Sequence, residues 1–124
     1  MNTIDIKKTA RPDGTETFRL VHRSHDMADT QYMPLMEINS TVASALGRNG
    51  VVVRGETVLS HLGQPGLVFL RDGDRHMLEL RADVADPTTT MHVIEVDPWL
   101  PSMILSDGLD QYRIQWVHGE PVSG

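Results

Sequence analysis

Cysteine is absent from the 124-residue chain, so no disulfide, thiolate zinc site, iron–sulfur cluster or cysteine nucleophile is available to it. Aromatic residues are scarce, with two each of Phe, Trp and Tyr. That is too few to interleave with basic side chains as an RNA reader requires. No apolar run approaches the roughly 18–20 residues that span a bilayer, and Met1 to Asp5 lack the basic and apolar regions of a signal peptide. The expectation is a cytoplasmic protein with no membrane partner. Positive charge is in short supply, since 11 Lys+Arg stand against 17 Asp+Glu, a net charge of −6 with neutral His. Non-specific nucleic-acid binding depends on neutralising phosphates with Lys and Arg, so a nucleic-acid partner is not expected.

What is present is a globular composition, 40% apolar and 23% charged, on a length that suits one domain. The charge is uneven. Residues 1–25 carry Lys7, Lys8, Arg11, Arg19 and Arg23 against Asp5, Asp13 and Glu16, a net of +2, whereas residues 72–124 hold three arginines against ten carboxylates, a net of −7. Such a dipole can orient a charged partner during encounter, although ordinary solvated surface is the preferred account, since exposed charges are individually worth little.

Residues 1–16 are polar and contain a Pro12-Asp13-Gly14-Thr15 turn signal, which predicts a flexible arm or a strand at a sheet edge. A domain over 17–118 and a frayed tail over 119–124 follow. Phe18 and Leu20 alternate with Thr17, Arg19 and Val21 as in a strand with one buried face, and His22 to Thr30 reads as a polar loop. Leu35, Ile38, Val42, Ala45 and Leu46 recur at helical spacing before Gly47 and predict a helix over about 35–46; the alternative is a strand over Tyr32 to Glu37 and a helix capped at Asn39 or Ser40. Val51 to Arg54 is a short β-branched run, and Glu56 to Leu62 has the propensity for two helical turns closed by Gly63. Leu67 to Arg71 and Arg75 to Leu80 flank Asp72-Gly73-Asp74, a tight hairpin. Asp86-Pro87 marks a connection, Met91 to Val96 a strand, Asp107 to Asp110 a turn, and Tyr112, Ile114 and Trp116 a last strand. Pro98 and Pro101 exclude a central strand between them. The predicted class is α+β: a mostly antiparallel mixed sheet of five to seven strands, with one or two short helices on one face.

Reactive constellations are hard to find. His22 and His25 form the only close histidine pair, short of the three or four convergent ligands a transition metal needs, so no metal is expected. Asp72/Asp74, Asp83/Asp86 and Asp107/Asp110 fall in predicted turns, where turn geometry explains them, and Glu95/Asp97 completes the set of paired carboxylates. No serine lies in a nucleophile elbow, and Gly63-Gln64-Pro65-Gly66 has neither the spacing nor the lysine of a phosphate cradle. The chain is therefore expected to be no enzyme and to hold no cofactor.

One segment points elsewhere. Trp99 and Leu100 lie between two prolines and are followed by Ser102, Met103, Ile104 and Leu105, large apolar side chains in an irregular segment that resembles a binding hot spot. Trp99, Leu100, Ser102, Met103 and Leu105 are the candidate partner-binding residues; the competing reading folds Trp99 back onto the core.

The order of elements from Tyr32 onward resembles that of the coupling, or effector, proteins of bacterial multicomponent diiron monooxygenases, the family of methane monooxygenase component B and its phenol and toluene hydroxylase counterparts. The likeness runs through Tyr32 to Leu46, Val51 to Val53, the hairpin Leu67 to Arg81, Val93 to Val96, the turn Asp107 to Asp110, and Tyr112 to Trp116. Glu56 to Pro65 departs from it as an insertion. The resemblance implies a regulatory protein without a cofactor that binds a larger protein, a diiron hydroxylase, and tunes its reactivity toward oxygen and substrate, with Pro98 to Leu105 in the docking surface. Two other functions fit the sequence: a phage- or plasmid-type inhibitor or immunity protein that blocks a basic surface, and a small enzyme or ligand-binding domain with a dispersed site drawn from His61, His76, His92 and Tyr112.

Overall fold

The computed structural model describes residues 3–26, 29–101 and 114–116. The chain forms two compact units, Met1–Arg48 with Ile114–Gly124, and Asn49–Arg113. The α+β class and the mostly antiparallel pairing are as expected from the sequence. Eight described strands make two four-stranded sheets, however, where five to seven strands in one sheet were predicted.

In the first unit, β1 (Thr3–Ala10), β2 (Glu16–Asp26) and β3 (Asp29–Ile38) form an antiparallel meander, and β8 (Ile114–Trp116) lies parallel to β1. The order β3-β2-β1-β8 makes β1 an interior strand, not the arm or edge strand its polar composition suggested. Ile4 and Ile6 are fully buried, and Ile4 pairs with Ile114 on one side and His22 on the other. The expected loop over His22 to Thr30 is instead the distal end of the β2/β3 ladder. Paired polar backbone is satisfied by its neighbour whatever the side chains, which is how a polar stretch becomes a strand. Tyr32 to Glu37 belongs to β3 and α1 spans Ser40–Asn49, so the alternative boundary holds and the helix over 35–46 is corrected. Asn39 sets that boundary, its side-chain oxygen accepting the Val42 amide at 2.8 Å as an N-cap.

In the second unit, β4 (Val51–Arg54) lies parallel to β5 (Gly66–Asp72), which pairs antiparallel with β6 (Arg75–Arg81), itself antiparallel to β7 (Thr90–Val96). The predicted hairpin is present, with Asp72 opposite Arg75 and Gly73 at φ +62° in the turn. A 3₁₀ helix, Gly55–His61, joins β4 to β5, so the two helical turns read from Glu56 to Leu62 are present in 3₁₀ form. Gly63 and Gly66, rejected above as a phosphate cradle, have structural duties: Gly63 takes φ +85°, and a Cβ on Gly66 would collide with the Val51 carbonyl oxygen. Val53, Val68 and Val84 form a core cluster on one face of this sheet, packed against Val51, Val58 and Leu70.

One buried charge organises the end of β6. Arg81 is 5% exposed; its Nη1 donates to the Val84 carbonyl at 2.7 Å, and Nε and Nη2 both donate to Glu79 Oε1 at 3.2 Å. The same oxygen accepts the Thr90 hydroxyl at 2.8 Å. Removing one partner of a buried ion pair strands the other, so Glu79→Ala is expected to lower unfolding free energy by about 3 kcal/mol in denaturant titration. Conversion of Arg81 to Met together with Glu79→Leu should cost much less.

His22 is 2% exposed in the first unit, and burial pushes its imidazole below the ordinary value of 6.5, with the Asp5 carboxylate opposing the shift. The unfolded chain therefore takes up a proton near 6.5 that the folded chain resists. Stability is whole above that pH and falls as acidification passes through 6.5 toward the lower folded value, below which this contribution levels off. Denaturant titrations between about pH 7.5 and pH 5 should show a steeper loss for the native chain than for His22→Asn, which lacks this proton linkage.

Candidate functional site

Asp97 to Pro101 forms a turn that becomes helical at 99–101, closed by the Leu100 amide donating to the Asp97 carbonyl at 3.0 Å. The two large side chains at its centre part company: Trp99 is 48% exposed, whereas Leu100 is fully buried. Leu100 is thus a core residue and is removed from the candidate docking set. Ser102, Met103 and Leu105 lie outside the described residues, as do the turn Asp107 to Asp110, Tyr112 and the tail 119–124.

The strand that leads into this turn adds what sequence reasoning missed. β7 sits at the end of the order β4-β5-β6-β7. Val93, on one face of it, and Met91, the extra residue at its register shift with β6, are each 47% exposed. Alternation places Glu95 on the same face, where its Oε2 accepts from Arg75 Nη2 at 3.1 Å. β7 and the turn after it therefore present three large apolar side chains, Met91 at a bulge, Val93 on paired backbone and Trp99 in a closed turn. A second exposed pair, Leu59 and Leu62 at 78% and 72%, stands on and just beyond the 3₁₀ helix, three residues apart and so on the same side of it.

The histidines proposed for a dispersed pocket do not converge in the second unit. His76 and His92 stand on one face of the β6/β7 ladder but at opposite ends, His76 opposite Val96 and His92 opposite Leu80. The Nδ1 of His61 lies 3.0 Å from Gln64 Oε1 in a local contact. Among the described residues no group of three or more His, Asp or Glu is placed to hold a metal ion. The paired carboxylates serve the backbone: Asp83 Oδ1 accepts the amides of Gly63 and Ala85, and Asp86 Oδ1 accepts the hydroxyl and amide of Thr88. The Thr88 hydroxyl and then its amide hold the Asp86 carboxyl below the usual carboxylate range.

No family model, no curated protein and no solved structure matches the chain.

The contrast between the neighbours Trp99 and Leu100 is directly measurable. Trp99→Ala is expected to shift the unfolding midpoint little, since half of the side chain is already in water, while Leu100→Ala should cost about 3 kcal/mol as a buried cavity. Thermal and denaturant unfolding of the two variants, side by side, reads this.

Proposed function

We propose that this protein is a non-catalytic regulator that acts by docking onto a larger protein through β7 and the turn that follows it. The observation that carries the reading is the exposure of Val93 on regular ladder backbone and Trp99 in a closed turn, with Met91 exposed at the bulge that begins the strand. Trp and Met are enriched where interfaces concentrate their energy, and a rigid scaffold keeps the ordering cost of binding low. In its most concrete form the partner is the hydroxylase of a bacterial diiron monooxygenase. Supporting it is the succession of helix α1, strand β4, hairpin β5/β6 and strand β7, the order on which the family resemblance rests. Such a regulator changes its partner only by binding one of the partner's conformations more tightly than another.

The acidity of the second unit favours one further reading, an inhibitor or immunity protein that covers a basic surface.

Affinity capture from the native host with the full chain as bait, followed by titration of the purified partner, separates these. A diiron hydroxylase whose turnover changes on titration supports the first reading, and a basic enzyme that is blocked supports the second. In either case Trp99→Ala should weaken binding by about tenfold or more. Substrate turnover by the purified chain alone, abolished by replacing a single histidine or carboxylate, overturns both.

A further inference from the structure

Among the described residues the two sheets have four edges, and three of them are blunted. β3 carries Pro34 beside the register shift at Leu20/Val21, β8 has three described residues, and β4 has only four residues before the 3₁₀ helix begins. Short strands, proline and bulges are the usual means of keeping an edge from pairing with another chain. β7 has one of these, a register shift that leaves Met91 as an extra residue next to its first position, and is regular beyond it. It runs for seven residues without proline or lysine, its register with β6 is regular from Val96 to His92, and among the described residues β6 is its only neighbour.

We propose that the free edge of β7 is a strand-addition site that takes an extended, lysine- or arginine-bearing segment of the partner. The proposal rests on the docking reading above and specifies its mode. Charge selects the occupant. From Asp72 to Pro101 there are seven carboxylates and two arginines, and the arginines are engaged by Glu95 and Glu79. The remaining carboxylates flank the strand: Asp97, Asp72 and Asp74 follow from its Val96 end, where His76 pairs with Val96, and Asp83 and Asp86 precede its Thr90 end. Met91 and Val93 occupy the stretch between. An incoming strand would exchange backbone hydrogen bonds with the regular stretch His92 to Val96, lay an apolar side chain beside Val93, and meet acid at either end. A second copy of this chain would bring the same acidic ends against these, which disfavours pairing of β7 with itself.

The test is selection of a random peptide display library, with inserts of about nine residues to span β7, on the immobilised full chain. Selected sequences should combine β-branched or aromatic residues at alternate positions with Lys or Arg near the ends. Their synthetic forms should protect amides of Thr90–Val96 from hydrogen exchange. They should lose about tenfold or more in affinity on Val93→Lys, whose charge opposes a basic strand, but keep it on Leu59→Ala. Selection of acidic peptides, of no peptides, or of peptides that bind Val93→Lys as well as the native chain overturns the proposal. So does a dimer in sedimentation that Val93→Lys dissociates, because the edge is then self-paired. If the captured partner binds Val93→Lys unchanged but not Trp99→Ala, docking stands and strand addition falls. Selection of basic strands with no partner captured has the opposite meaning.

Discussion

The placement of β7 depends on one buried guanidinium. Arg81 lies where β6 ends and its register with β7 slips, between Leu80 and Arg81. From there it ties three pieces together: its own strand through Glu79, the start of β7 through the Thr90 hydroxyl on the same Glu79 oxygen, and the connecting segment through the Val84 carbonyl. Val84 belongs to the core cluster with Val53 and Val68, so the charged clamp and the apolar core hold the same loop from two sides. A guanidinium is suited to this place because its planar fork directs several donors at once and stays charged when desolvated. The loop's own hydrogen bonds, from Asp83, Asp86 and Thr89, then complete the accounting for its backbone. The exposed face of β7 is consequently held on a rigid support, which is what a docking surface requires if binding is not to be spent on ordering it.

Much of the second unit was legible in the sequence because its signals are local. The β5/β6 hairpin announces itself in Asp72-Gly73-Asp74 between two apolar runs, and β7 in Met91 to Val96, since turn chemistry and period-two alternation act over a few residues. The first unit was harder to read. Its meander continues through His22 to Asp26 without an apolar pattern, and Thr3–Ala10 is interior because β8, more than a hundred residues later, pairs with it. Strand order is a non-local property that no window of sequence contains. The same limit applies to the candidate site. Trp99 and Leu100 stood out in the sequence with their placement open; that Trp99 is half exposed while Leu100 turns inward, and that β7 is an edge among the described residues, follow from how the chain folds.

The charge asymmetry also changes meaning once the side chains are placed. In the first unit Lys8 pairs with Glu16 at 2.8 Å, Arg11 with Glu37 at 3.2 Å and Arg23 with the buried Asp5 at 3.2 Å, while the Lys7 ammonium sits 3.8 Å from the centre of the Tyr32 ring. Exposed pairs of this kind add little stability. They do cancel field at a distance, and the basic character read from residues 1–25 is largely absorbed within its own sheet. The second unit is less balanced: Arg54, Arg75 and Arg81 pair with Glu56, Glu95 and Glu79, Arg71 donates to the Gly73 carbonyl, and acid is left over. What the second unit presents is therefore less a dipole than an acidic surface with exposed apolar side chains at Met91 and Val93. Long-range attraction from that surface acts on encounter and falls with salt, whereas the apolar side chains and the free backbone edge act only on contact. A partner that satisfies one and not the other would be drawn in without being retained, or would fit without being found. The coincidence of both at β7, with Trp99 three residues beyond it, is what makes this part of the fold the candidate site in preference to Leu59 and Leu62, which are more exposed but stand on a short helix with no free strand edge to support them.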